Sequence, residues 1–201
     1  TEGTDVDLIA AATFDPGDPN LESKVGELAA SGAGVLLSIV SLASLQVGVL
    51  SDAHSIGWAP EVFLPSNSSS PVDVVIPGGG AGFPAVYSTA FAKLPGSPDS
   101  AVDEDVVAYA VAFEQYGSGI AATYTPHCAW SYAEGAILEQ AFLAMTKPTR
   151  ASFMEALFSI EGYEAPLLLD GVAVNTTDPS RPAIRGLTLV QFNGTGYGPV
   201  Q

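Results

Sequence analysis

The chain has 201 residues, 47% of them apolar, enough for one sizeable core or two small lobes. Its 22 Asp and Glu against 6 Lys and Arg leave a formal charge of −16, which repels a phosphate backbone and removes the counterion release that drives nucleic-acid binding. No stretch approaches the roughly 20 apolar residues of a membrane-spanning helix, and the lone Cys128 excludes both an intrachain disulfide and a Cys/His zinc cluster.

In chain order, Val6 to Thr13 reads as a strand that ends at the turn Phe14-Asp15-Pro16-Gly17-Asp18-Pro19. Leu21, Val25 and Leu28 then recur at helical spacing, and Ser31-Gly32-Ala33-Gly34 closes that helix. Val35 to Val40 is a nearly continuous apolar run, the pattern of a parallel strand buried on both faces. Leu42, Leu45, Val49, Ala53 and Ile56 predict a second helix, with Ser41 as its N-cap and Gly57 as its stop. Val62-Phe63-Leu64 is a short strand opening into Ser66-Asn67-Ser68-Ser69-Ser70-Pro71.

This alternation predicts an α/β fold, a mostly parallel sheet flanked by helices. Pro77-Gly78-Gly79-Gly80-Ala81-Gly82 reads as a flexible connection; a phosphate cradle would need a helix start after the glycines, and Phe83-Pro84 follows instead. Ala85 to Phe91 predicts another strand, and Val102–Tyr116 (capped at Ser100), Cys128–Met145 and Thr149–Ile160 predict three helices. Leu167–Val174 and Gly186–Phe192 read as strands pairing in an edge hairpin. The sequons at Asn67, Asn175 and Asn193 are read as turns.

The helix ending at Ser31-Gly32-Ala33, the Val/Leu strand after it, and the close at Gly57-Trp58-Ala59-Pro60 resemble the second lobe of type I solute-binding proteins of the branched-chain amino-acid kind. Ala108-Tyr109, Phe113, Tyr116-Gly117, Tyr132, Glu134-Gly135 and Ala141-Phe142 resemble that family's return to its first lobe, and Gly186 to Phe192 its final strand. The resemblance implies the type I periplasmic-binding-protein fold, with a Rossmann-like second lobe over 1–86, a helical part of the first lobe over 87–166, and return strands over 167–201. It implies no enzyme and no cofactor, but a receptor that carries a small polar or amphipathic molecule, such as an amino acid or related acid or amide, to the permease of an ABC importer.

The implied location is extracellular or periplasmic. Thr1-Glu2-Gly3-Thr4-Asp5 has no signal character, so an export signal or lipid anchor is expected to have been removed. A first half-lobe is expected to be missing, leaving apolar helix faces between about Phe91 and Pro166 in need of a partner.

Ligands of open α/β sheets lie beyond the carboxyl ends of the strands, here at Val40-Ser41 and Ser66-Asn67. Ser41 offers a hydroxyl and the following helix amides to a carboxylate or carbonyl; Ser66 and Asn67 offer donors and acceptors. Tyr87, near the implied hinge, and Trp130 are candidates to pack against a ligand. The family's amino-acid receptors hold the ligand ammonium with an acid in the second loop, and Ser66-Asn67-Ser68 has none. Competing readings are a sensory module of the same fold and, on His127-Cys128, a thiol enzyme. Asp103-Glu104-Asp105 fits the positive end of a helix without any metal.

Overall fold

The computed structural model describes residues 6–15, 17, 21–93, 95, 101–119 and 125–200, apart from the side chains of 125–127 and 199. The expected cap Ser100 lies outside the described residues. Two compact units emerge, one of residues 1–89 with 189–201 and the other of residues 90–188.

In the first unit, α1 (Leu21–Ala30) turns Leu21, Val25 and Leu28 onto the core. It ends where Gly32 takes a left-handed φ of 77°. The sheet has the order β1 (Val35–Leu37), β2 (Glu61–Leu64), β3 (Val86–Ala90), β4 (Thr188–Phe192), β5 (Tyr197–Pro199). β1 to β3 run parallel, pairing Leu36 with Val62 and Val62 with Val86. β4 and β5 form an antiparallel hairpin. At its tip Asn193 Oδ1 accepts from the amides of Thr195 and Gly196, a local Asx turn.

Burial alternates along the parallel strands as the pleat requires. Leu36, Val62, Leu64 and Val86 join α1 and α2 (Ala43–Ser55) in one core with Val25, Val49, Leu50 and Ala53. Val35 and Leu37 are exposed on the opposite face, where Phe63 and Tyr87 stack with ring centroids 4.7 Å apart. β1 is therefore buried on one face, not two, because both helices lie on the same side of it.

Four other expectations for this unit need correction. Val6–Thr13 forms no strand, since it gains no ladder partner; Val6, Leu8 and Ile9 are exposed. Ser41 does not cap α2: Leu42 holds the cap position, with no side-chain cap. The glycine run is packed and not a loose tether. A Cβ on Gly78 would lie 2.7 Å from Leu50 Cβ, and one on Gly80 2.3 Å from Val75 Cγ1. Finally, the hairpin pairs β4 with β5 and not with 167–174.

The second unit holds α3 (Glu104–Tyr116), α4 (Thr125–Ala144) and α5 (Arg150–Leu157). Asp103 occupies the cap position of α3, and Thr149 Oγ1 caps α5 by accepting from the Ser152 amide at 3.2 Å. One cluster gathers Ala141, Ile160, Ala165, Leu168, Val172 and Val174, and a second Val106, Tyr109, Ala129 and Leu167. The expected strand over 167–174 is only a set of isolated bridges, Ala92 to Leu168 and Tyr163 to Val174. Left-handed φ angles at Leu167 (65°) and Gly171 (78°) break the extended run. Val107, Val111, Phe142 and Leu143 stay exposed on α3 and α4, as the apolar helix faces were expected to. Among the described residues no helix is long and apolar enough to cross a membrane.

Candidate functional site

The carboxyl ends of β1, β2 and β3 carry a buried group of hydroxyls. Ser38, one residue past β1, donates its amide to the Phe63 carbonyl at 3.0 Å and its Oγ to Gln46 Oε1 at 2.8 Å. Ser88, on the core face of β3, donates to the Leu64 carbonyl at 3.1 Å and to Ser69 Oγ at 2.9 Å. Ser69 Oγ in turn donates to the Ser66 carbonyl at 3.2 Å, and Ser68 Oγ donates to the Val40 carbonyl. These bonds tie the loop after β1 to the loop after β2, so the two are held as one surface.

Among the described residues of this unit, two buried polar atoms are left over. Gln46 Nε2 and the Tyr197 hydroxyl are buried and make no hydrogen bond. Burial pushes the Tyr197 phenol well above its ordinary pKa, and the nearby Ser69 hydroxyl opposes that shift without reaching it at bonding geometry. Both loops are electrically neutral: 38–46 and 65–70 contain no charged residue.

In the second unit a cavity of about 330 Å³ is lined by Lys93, Asp105, Tyr163, Glu164 and Asp170 among others. Lys93 Nζ lies 3.3 Å from Asp105, 3.8 Å from Asp103 and 3.7 Å from Asp170. Burial favours the neutral amine, but the three carboxylates outweigh it and raise the Lys93 pKa. Its cation is already matched, so this cavity is an internal brace. Among the described residues no group of His, Cys, Asp and Glu is placed to hold a metal. The His127 side chain lies outside the described residues, and Cys128 is half-buried against the Val106, Tyr109 and Ala129 cluster.

No protein-family model and no curated protein matches the sequence. Solved structures do. A substrate-binding periplasmic protein from Ralstonia solanacearum is similar with a TM-score of 0.73 and 18% identity, over 91% of this chain and 50% of that one. A branched-chain amino acid ABC transporter protein from Thermus thermophilus, with bound valine, gives 0.69 and 14%, over 94% and 50%. A fatty acid ABC transporter substrate-binding protein from Thermomonospora curvata gives 0.66 and 18%, over 91% and 45%. The fold is that of the type I periplasmic binding proteins. The chain spans about half the length of the solved structures it matches.

Within that periplasmic-binding-protein fold, the sequence-predicted residues fall as follows. Val40 and Ser66 are brought together through Ser68 and Ser69, and each gives its carbonyl to an internal bond. Ser41 and Asn67 are exposed at the same end of the sheet. Tyr87 lies on the outer face against Phe63, and Trp130 belongs to the second unit, 5.7 Å from the Phe91 ring. Sequence reasoning passed over Ser38, Gln46, Ser68, Ser69, Ser88 and Tyr197. Gln46 did carry a signal, because it is a polar residue at helical spacing from Leu42, Val49, Leu50 and Ala53.

Proposed function

We propose that the chain is part of a two-lobed extracellular or periplasmic receptor that captures a small molecule and delivers it to the permease of an ABC importer. The observation that carries this reading is the likeness to type I binding proteins over more than nine-tenths of the chain. The neutral, hydroxyl-rich loops beyond β1 and β2 support it, since that end of an open parallel sheet is where ligands bind. Because the matched structures are about twice as long, the proposed partners include a first half-lobe. The exposed Val107 and Val111 on α3 are apolar surface that such a segment would cover. The neighbours' names include an amino-acid and a fatty-acid transporter, so the fold admits both chemistries.

Native mass spectrometry of the full-length protein, with small-molecule extraction, tests the reading. A stoichiometric small molecule whose re-addition raises the melting temperature is expected. A protein that retains no ligand and shows no shift with amino acids, amides or organic acids overturns it.

A further inference from the structure

We infer that Asn193 is an N-glycosylation site, its carboxamide nitrogen receiving a glycan from a lipid-linked donor. The inference rests on the receptor reading above, because this transfer is made to exported chains, and it adds a modification that the reading does not require.

Asn-X-Ser/Thr, with X other than proline, is the acceptor tripeptide of this modification and belongs on surface segments. The chain has it at Asn67-Ser68-Ser69, Asn175-Thr176-Thr177 and Asn193-Gly194-Thr195. A tripeptide recurs by chance, so geometry must separate the three. An acceptor needs its Asn at the surface with Nδ2 unengaged, and a hydroxyl two residues on that is not committed to another part of the fold.

Asn67 is exposed, but its hydroxyl partner Ser69 is buried, donating to the Ser66 carbonyl and accepting from Ser88. Asn175 is half-buried, and both ends of its carboxamide are taken: Oδ1 accepts the Gly162 amide at 2.9 Å and Nδ2 reaches the Ala173 carbonyl at 3.4 Å.

Asn193, Gly194 and Thr195 are all exposed, at the tip of the β4–β5 hairpin. The Asn193 amide donates to the Gly196 carbonyl at 2.9 Å, and its Oδ1 accepts from Thr195 Oγ1 at 3.1 Å as well as from the Thr195 and Gly196 amides. Every one of these bonds spans three residues or fewer, so the turn forms without help from the rest of the fold. Gly194, at φ 102°, makes the sharp bend and leaves no side chain beside the carboxamide. Oδ1 is fully used, and among the described residues Nδ2 has no hydrogen-bond partner.

In the transfer, Nδ2 attacks the anomeric carbon of a glycan held on a lipid phosphate. The new carbon–nitrogen bond forms as the anomeric carbon–oxygen bond breaks. The lipid phosphate leaves with the electron pair, one Nδ2 proton passes to a base of the transferase, and nothing is oxidised or reduced. β5 is the last strand of the sheet, so a glycan beside it also hinders edge-to-edge pairing with another chain.

Intact glycopeptide mapping of the full-length protein, purified from its source organism, tests the site. The peptide carrying Asn193 is expected to bear a glycan. Thr195→Ala, which removes the hydroxyl, should lose it. So should Asn193→Asp, which keeps the oxygen that closes the turn and removes the nitrogen. Thr195→Ser should retain it. Exported protein with a bare Asn193, or with glycan only at Asn67 or Asn175, overturns the inference and leaves the receptor reading standing. A protein confined to the cytoplasm sinks the receptor reading, and this inference with it.

Discussion

The Trp58 indole Nε1 donates to the Ala33 carbonyl at 3.1 Å, joining the step that ends α1 to the step that ends α2. The bond fixes Gly57-Trp58-Ala59-Pro60 against the start of β1, whose neighbour Glu61 donates to the Gly34 carbonyl at 2.9 Å. Trp58→Phe keeps an aromatic ring and removes the donor. It should lower stability by about 1 kcal/mol, read as a lower urea midpoint with an unchanged slope.

Asp105 is the brace of the second unit. Its Oδ2 accepts the Leu167 amide at 2.7 Å, its Oδ1 the Val106 amide at 3.0 Å, and Lys93 lies 3.3 Å away. Partial burial pushes its carboxyl up, but the Leu167 amide, Lys93 and the Val106 amide outweigh that and hold it below the ordinary carboxylate value. Asp105→Ala should cost about 2 kcal/mol, mostly through the lost amide bonds, because the partly exposed ion pair adds little. Since the folded pKa is depressed, the stabilisation is complete above the unfolded value, near about pH 4, and is lost as pH falls through the folded one. Urea midpoints across acidic pH should fall less steeply for Asp105→Asn than for wild type.

How far the sequence reached depends on which interactions decide each segment. α1, α2 and the three parallel strands were legible because local periodicity and the stops Gly32 and Gly57 agree with the core they build. Val6–Thr13 has the composition of a strand, yet a strand exists only through a neighbour, which local sequence does not reveal. Leu167–Val174 failed for another reason: a left-handed leucine is imposed by distant Asp105 and Lys93, not by its own propensity. At the site, loop ends were readable from topology, whereas the Ser38–Gln46 and Ser69–Ser88 bonds needed three dimensions.

Glycines with right-handed or extended backbone at clashing and open positions have opposite predicted effects. Gly80→Ala forces a Cβ to 2.3 Å from Val75 Cγ1 and 2.8 Å from the Val75 carbonyl. That overlap should cost about 2 kcal/mol. Gly26 in α1 and Gly135 in α4 have nothing within 4 Å of such a Cβ, so alanine there should stabilise by about 0.5 to 1 kcal/mol each. Thermal melts of the three single variants check the order.

Tyr197 buries a hydroxyl with no hydrogen bond, which is a cost the ring's packing against Phe192 must offset. Tyr197→Phe should therefore be neutral, or stabilising by about 1 kcal/mol. A clear loss of stability would mean that the hydroxyl has a partner, such as a bridging water. In a spectrophotometric alkaline titration, the variant should lose a phenol that ionises above the ordinary tyrosine range, because burial raises the Tyr197 pKa.

Leu167 combines a buried side chain, 1% exposed, with a φ of 65°. Its amide is held by Asp105 and its carbonyl accepts from the Lys93 amide at 2.7 Å, so the backbone has no freedom to relax. Leu167→Ala loses the packing against Tyr109 and Ala129 and keeps the left-handed strain, costing about 3 kcal/mol. Leu167→Gly loses the same packing but removes the Cβ that makes this conformation costly, a relief of about 1 kcal/mol. In an ordinary buried position glycine is the worse of the two replacements. Here Leu167→Gly should unfold at a urea concentration equal to or higher than Leu167→Ala; the reverse order would show that the left-handed turn does not survive truncation.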